Sequence, residues 1–401
     1  MYCPIDPVRD ISKRLIEQAT ATDDGARLID ECCTALTAAG LSLAWLSMAI
    51  RTIEPGTRGI NATWRRGEKM VLEQDGSGQD RESVFKLGPI HSLLADGRRF
   101  RRWRLNGAES LQAFPLLQKL RSEGITDYVL HVVDFAPGTA LIGVGIALAS
   151  DCPTGFSDAG LAAFDEVLPA LALVISKLSL SRTLRQTLTS YLGPQTAMRV
   201  LNGQSRRGEG KTISAALLLV DLRAFTALSE REDPQRVVEW LDEHFEALGE
   251  PVAEYGGEIL KFLGDGFLAI FPAHETTEIP CGVCEKALTA ATSAMQRNRA
   301  LNQRRLLFDQ PALHADLVLH FGRVVYGNVG TSRRLDFTVI GPAVNEASRI
   351  ERLCEDTGHS LLLSDSFVGR CGRDFLSVGR FSLRGLECTQ QVWTLPGPAL
   401  E

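Results

Sequence analysis

The chain lacks any uninterrupted apolar run of the roughly 18 residues that a bilayer-spanning helix needs. Its richest, LIGVGIALA at 141–149, falls well short and suits a buried strand. The opening MYCPIDPVRD has no apolar h-region, so no export signal is read and a cytoplasmic protein without a membrane span is expected. Nine cysteines are present, but without a spacing framework and in odd number, which excludes a disulfide-stapled scaffold. Most are expected to be small core residues. Cys281 and Cys284 form a lone CxxC with only His274 nearby as a further ligand. They read as packing at the start of a helix and not as a zinc or redox site. A strong charge of one sign is also missing. With 43 Lys and Arg against 49 Asp and Glu, the net charge of −6 gives no basic surface for nucleic acid. The local run Arg98, Arg99, Arg101, Arg102, Arg104 around Trp103 reads as a solvated loop or helix face.

What remains is an ordinary globular composition, 44% hydrophobic and 23% charged over 401 residues, enough for two domains and a connector. Residues 8–40 read as amphipathic helix, with Ile11, Leu15, Ile16, Ala19, Leu28, Ile29, Cys32 and Leu36 at helical spacing. Strand-like segments follow at 41–53, 61–64, 70–72, 128–135 and 141–149, the last two joined by an Ala-Pro-Gly-Thr turn. Ser157 or Asp158 then caps a long apolar helix over 159–180. This close, a hairpin ending IGVGIALAS, a loop with GFSD and the helix LAAFDEVLPALALVI, resembles a GAF domain over roughly 10–178. The resemblance implies an α/β sensory module at 1–178. A small-molecule ligand and a ligand-free fold both stay open. Residues 179–210 form a helical connector. There Leu184, Leu188 and Tyr191 continue an apolar stripe until Gly193-Pro194, and a short helix follows at 195–201. The stripe suits either a dimeric coiled segment or a helix packed on one domain.

From Ile213 the pattern changes. SAALLLV is a continuous apolar run, as for a strand buried on both faces, and it ends in Asp221. Two further apolar strands, 258–263 and 267–271, flank the turn Gly264-Asp265-Gly266, so Asp265 stands at a hairpin tip. Two aspartates on neighbouring strand ends make a hard, oxygen-rich site suited to Mg²⁺ or Mn²⁺ bridging to phosphates. Next comes a strand over 317–321, a Gly-rich bend, a strand over 336–340, a Gly-Pro turn and a helix from about Ala343. On that helix Asn345 and Arg349 share one face near the N-terminus, where anionic groups are favoured.

The segments LLLVDLRAFTALSE, GGEILKFLGDGFLAIF, GRVVYGNVG and DFTVIGPAVNEASRIERL, in that order, resemble the catalytic domain of class III adenylate/guanylate cyclases over roughly 211–396. The implied fold is ferredoxin-like or palm-like α+β at 211–401, giving α/β (α+β) for the whole chain. Asp221 and Asp265 fall on the family's two metal-binding aspartates, with the Leu222 carbonyl as an extra ligand and two Mg²⁺ or Mn²⁺ per site. Lys261 and Thr338 fall on the purine-selecting positions. Asn345 falls on the ribose-orienting residue, Arg349 on the transition-state arginine, and Arg384 on a basic residue that holds the triphosphate. Two positions depart from the family: Ala224 stands where Gly is usual, and Pro342 where Asp or Gln is usual.

These matches imply conversion of ATP to 3′,5′-cyclic AMP and pyrophosphate by a homodimer. One protomer would supply the aspartates and the other the base- and ribose-reading residues. Adenine has an acceptor at N1 and a donor at N6. Lys261 only donates, and the Thr338 hydroxyl can accept. A Lys/Thr pair also resembles the bicarbonate-responsive subset of the family. Guanylate cyclases tend to place Glu at the lysine position, so Lys261 opposes a GTP enzyme. A silent nucleotide-binding module is the other alternative. A diguanylate-type enzyme would need a second acid that Gly264-Asp265-Gly266 does not supply.

Overall fold

The computed structural model describes residues 7–51, 57–76, 88–107, 114–136, 138, 141–273, 281–385 and 388–396. It is mixed α+β and divides into two compact units, Met1–Thr187 and Leu188–Glu401.

The first unit runs α1 (Pro7–Ala21), α2 (Gly25–Ala38), β1 (Trp45–Arg51), β2 (Thr57–Arg65), β3 (Val71–Gly76), α3 (Pro89–Ala95), β4 (Phe100–Arg104), α4 (Pro115–Ser122), β5 (Asp127–Asp134) and β6 (Gly143–Ser150). The helix expected over 8–40 is thus two helices. Asp24 accepts from the Arg27 amide and caps the second, which stops the first at Ala21. The strands form one antiparallel sheet in the order β3-β2-β1-β6-β5-β4. One face packs on α1, α2 and α5 (Asp158–Leu192) through Leu46, Met48, Ile146 and Leu148. The other packs on α3 and α4 through Trp45, Tyr128 and Leu130. Ser157, one of the two expected caps, accepts from the Gly160 amide. By length and composition alone α5 could cross a membrane, although no uninterrupted run in it does so; Phe164, Val167, Leu171, Val174 and Ile175 are core residues of the first unit.

The arginine run is not a helix face: Arg98 and Arg99 lie in the exposed loop before the edge strand β4, which carries Arg101, Arg102 and the exposed Arg104. Asp127 is fully buried at the start of β5, and a carboxylate there needs a cation. Arg102 supplies it with a bond of 2.7 Å and also reaches the Phe156 carbonyl at 2.6 Å, while Trp103 is core.

The second unit runs α6 (Pro194–Leu201), β7 (Gly210–Leu222), α7 (Phe225–Ser229), α8 (Pro234–Glu254), β8 (Glu258–Leu263), β9 (Gly266–Ala273) and α9 (Gly282–Leu306). It continues with β10 (Ala315–Gly330), β11 (Leu335–Ile340), α10 (Pro342–Glu351), α11 (Leu353–Thr357), β12 (Leu361–Ser364), α12 (Asp365–Val368), β13 (Leu376–Phe381) and β14 (Gln390–Thr394). Its sheet has the order β13-β14-β12-β10-β7-β9-β8, with β11 paired to β10. As the run SAALLLV requires, β7 is central and covered twice. Ala216, Leu218 and Val220 face α8 and α9, whereas Ala215, Leu217 and Leu219 face α10.

One expectation fails here. The segment expected to bend after residue 321 is instead continuous strand, and β10 stays paired with β7 from Ala315 to Gly327. Its glycines serve close approach, not turning. A Cβ on Gly327 would run into the Glu209 carbonyl and the Gly210 backbone, and one on Gly322 would lie 2.6 Å from the Ala343 methyl. Cys281 caps α9 and Cys284 opens it, as the spacing suggests. Both are buried in one apolar cluster with Cys371, which lies just beyond α12. His274 lies outside the described residues.

Candidate active site

Asp221 is the penultimate residue of β7, and Asp265 sits in the two-residue turn between β8 and β9. Pairing of β7 with β9 runs to Val220 opposite Phe267, which brings the hairpin tip to the strand end. Gly266 permits the approach. A Cβ there would collide with the Val220 carbonyl and lie 2.8 Å from an Asp221 carboxylate oxygen. Burial first, then the negative charges of Asp265 and Asp316, push the Asp221 carboxyl up to about 6. Burial also raises Asp265. A carboxylate pair held this way, with no cation paired to it among the described residues, fits a divalent metal. Among the described residues no group of three or more His, Cys, Asp or Glu is arranged to hold an ion. The two aspartates would therefore need outside oxygens, such as substrate phosphates, to complete a metal shell. Leu222 ends β7 directly beside Asp221, where a carbonyl ligand was expected.

Two acids near this pair escape the motif. Asp316, in register opposite Asp221 on β10, is held by Arg223 through its Nε at 3.2 Å and a second, shorter contact. Glu351, at the end of α10, is raised to about 7 by burial and by Asp221 and Asp316. A charged residue inside DLVLHF was a usable signal for Asp316; nothing local marks Glu351.

The two residues expected to read the base, Lys261 and Thr338, lie on β8 and β11. Strict alternation along β8 would put Leu260 and Lys261 on opposite faces. The register slips between Ile259 and Lys261, so Leu260 is an extra residue and Lys261 stands opposite Leu268. Lys261 then reaches Asp336 on β11, with Nζ 2.9 Å from the carboxylate. Two residues on, Thr338 is 5% exposed, and its hydroxyl has no hydrogen-bond partner among the described residues. A buried hydroxyl left unpaired costs about 1–3 kcal/mol, so it marks a place where a ligand atom would be welcome.

Gly341, at φ +152, precedes Pro342 at the first position of α10, a position that proline suits; that departure from the family costs the helix nothing. Ala224 is different, because it holds the left-handed conformation, φ 57, that favours glycine. Asn345 is exposed near the start of α10 and Arg349 is half-buried one turn later. A Cβ on Gly385 would lie 3.4 Å from the Arg349 guanidinium, so the exposed Arg384 belongs to a loop lying against Arg349. Among the described residues no hydrogen bond or ion pair within one chain joins Asp221 or Asp265 to Lys261, Thr338, Asn345 or Arg349.

Residues 210–394 match the family model described as the adenylate and guanylate cyclase catalytic domain. Residues 210–394 are therefore a class III adenylate/guanylate cyclase catalytic domain. The chain is 30% identical over 237 residues to an adenylate cyclase of Anabaena cylindrica, covering 57% of this chain and 44% of that one. It is 33% identical over 185 residues to adenylate cyclase 1 of Rhizobium meliloti, covering 45% and 27%. The matches thus span less than half the length of these relatives. Among solved structures, the guanylyl cyclase Cya2 is 26% identical with a TM-score of 0.41, covering 47% of this chain and 96% of that one.

Proposed function

We propose that the chain is an adenylate cyclase, forming 3′,5′-cyclic AMP and pyrophosphate from ATP. The observation that carries the choice of base is the unpaired, buried Thr338 hydroxyl on the strand beside the Lys261–Asp336 pair. Lys261 donates to adenine N1, and Asp336 holds its ammonium on the correct side of β8. Thr338 accepts from the adenine amine, which satisfies its orphaned oxygen. Asn345 orients the ribose so that the 3′-oxygen faces the α-phosphorus in line with the leaving pyrophosphate. Arg349 stabilises charge growing on the α-phosphoryl oxygens, and Arg384 helps hold the triphosphate. Mg²⁺ or Mn²⁺ held by Asp221 and Asp265 would acidify the 3′-hydroxyl and neutralise the triphosphate.

A head-to-tail homodimer completes the site, since one chain does not bond its aspartates to its own base- and ribose-reading residues. Its interface would cover Phe262, Leu263, Val325, Leu335 and Ile340, exposed apolar residues on or beside the strands that read the base. The N-terminal unit is assigned to 1–178 as a GAF-like regulatory domain and residues 179–210 to a connector. The antiparallel sheet layered between helices supports the first assignment. Bicarbonate stimulation is the further expectation from the Lys/Thr pair; unchanged turnover on adding bicarbonate at fixed pH removes it.

Thr338→Val tests the base assignment. It should lower kcat/KM for ATP about tenfold while leaving the free protein as stable or more so, because an unsatisfied hydroxyl is replaced by a methyl. Unchanged kcat/KM for ATP, measured with the melting curve of the same sample, would remove Thr338 from the base pocket.

A further inference from the structure

Glu258 opens β8, is 2% exposed, and pairs with no cation among the described residues. Its two oxygens are nevertheless used. One accepts the Thr196 amide at 2.9 Å, and the other accepts the Tyr326 hydroxyl at 3.0 Å. The Thr196 and Tyr326 hydroxyls are themselves 3.2 Å apart. Thr196 lies in the first turn of α6, whose N-cap is Gly193 and offers no side chain. The free amides at that end are satisfied instead by a carboxylate 62 residues further along the chain. Gly193 is shaped for this contact: its φ is +82, and a Cβ there would overlap the Glu258 carboxylate. The far end of α6 is tied to the same sheet, with the Arg199 guanidinium 4.6 Å over the Tyr326 ring. Just past α6, the Gln204 carbonyl accepts from the Asn328 amide at 2.9 Å.

The cluster also touches both strands that read the base. On β8, Glu258 lies three residues before Lys261, ahead of the bulge that turns Lys261 toward Asp336. Across the sheet, the Tyr326 ring packs edge-on against Phe337, 4.8 Å between centroids, and Phe337 precedes Thr338. A rigid bond at the start of β8 fixes where the extra residue sits; release would let the register slide and carry Lys261 to the other face.

We infer that Glu258 is a positioning residue that locks α6 onto the two base-reading strands, so that nucleotide affinity and base discrimination depend on α6 being docked. This role rests on the base-pocket assignment above and extends it to a segment that carries none of the base-, ribose- or metal-binding residues.

Glu258→Ala, Glu258→Gln and Tyr326→Phe in the full-length chain test it. Alanine removes both acceptors, and the variant should raise KM for ATP about tenfold, hold kcat within about twofold and lower the ATP:GTP ratio of kcat/KM. Glutamine keeps the acceptor for the Thr196 amide and offers Tyr326 a donor. It should restore KM to within about threefold of wild type. Tyr326→Phe, which loses the hydroxyl's contacts with Glu258 and Thr196 but keeps the Thr196 amide bond to Glu258, should fall between the two and covers the case in which the alanine variant does not fold. Hydrogen exchange at the Thr196 and Ala197 amides should quicken in step with KM across the series. If the amides exchange faster while KM and the ATP:GTP ratio stay at wild-type values, Glu258 is a structural cap only and the inference is wrong. A wild-type chain that turns over neither nucleotide overturns the base-pocket assignment itself, which is a separate and recognisable failure.

Discussion

Asp221 shows how costly a single buried carboxylate can be. The ordinary carboxylate value for it is 3.8, and burial with Asp265 and Asp316 nearby pushes it to about 6. In the metal-free fold Asp221 keeps a proton that the unfolded chain has already released between these values. The folded state therefore binds more protons, and this contribution to stability falls as pH rises through about 6. Glu351, raised to about 7, acts in the same direction. Asp221→Asn should thus melt higher than wild type without metal, by a margin that widens from about pH 5 to about pH 7.5. It should also lose both cyclic nucleotide formation and the Mn²⁺-dependent rise in melting temperature. Thermal melts in EDTA and in Mn²⁺ at the two pH values check all three. Ala224 is strained for a simpler reason, its left-handed backbone. Ala224→Gly should stabilise the chain by about 0.5–1 kcal/mol, readable as a shift in urea midpoint at constant slope.

At the scale of elements, legibility followed locality. The motif strands β7, β8 and β9 and the helix α10 could be read because their periodicity, turn and start signals lie within a dozen residues. Asp221 and Asp265 came with them, whereas Lys261 was singled out by the family resemblance alone. The misread elements had their causes elsewhere in the chain. Gly322 and Gly327 looked like a bend, but Glu209, Gly210 and Ala343, distant in sequence, crowd them. The arginine run is solvated at Arg98, Arg99 and Arg104, but nothing beside it announces the buried Asp127 that draws Arg102 inward. The bulge at Leu260 and the cap from Glu258 to α6 were invisible for the same reason. Gly327→Ala therefore tests the corrected β10. Its methyl meets backbone, not a movable side chain, so it should destabilise by roughly 1–3 kcal/mol or more and reduce activity through lost fold. Tolerance in a urea melt would show that the strand is not packed as described.

For the whole molecule, the proposed reaction calls for a second copy, because among the described residues no bond within one chain joins Asp221 or Asp265 to Lys261, Thr338, Asn345 or Arg349. Asp265→Ala and Arg349→Ala should each be inactive alone. Mixed in equal amounts and allowed to exchange, half the dimers carry one intact site of two, so activity should recover to about a quarter of wild type. No recovery, with exchange verified by differently tagged chains, would place a complete site within one protomer. The central claim is tested most directly by supplying the purified chain with ATP or GTP and Mn²⁺ or Mg²⁺ and measuring both cyclic nucleotides. The account predicts cyclic AMP as the dominant product, abolished by Asp265→Ala. Cyclic GMP as the main product, or product that survives Asp265→Ala, would contradict it.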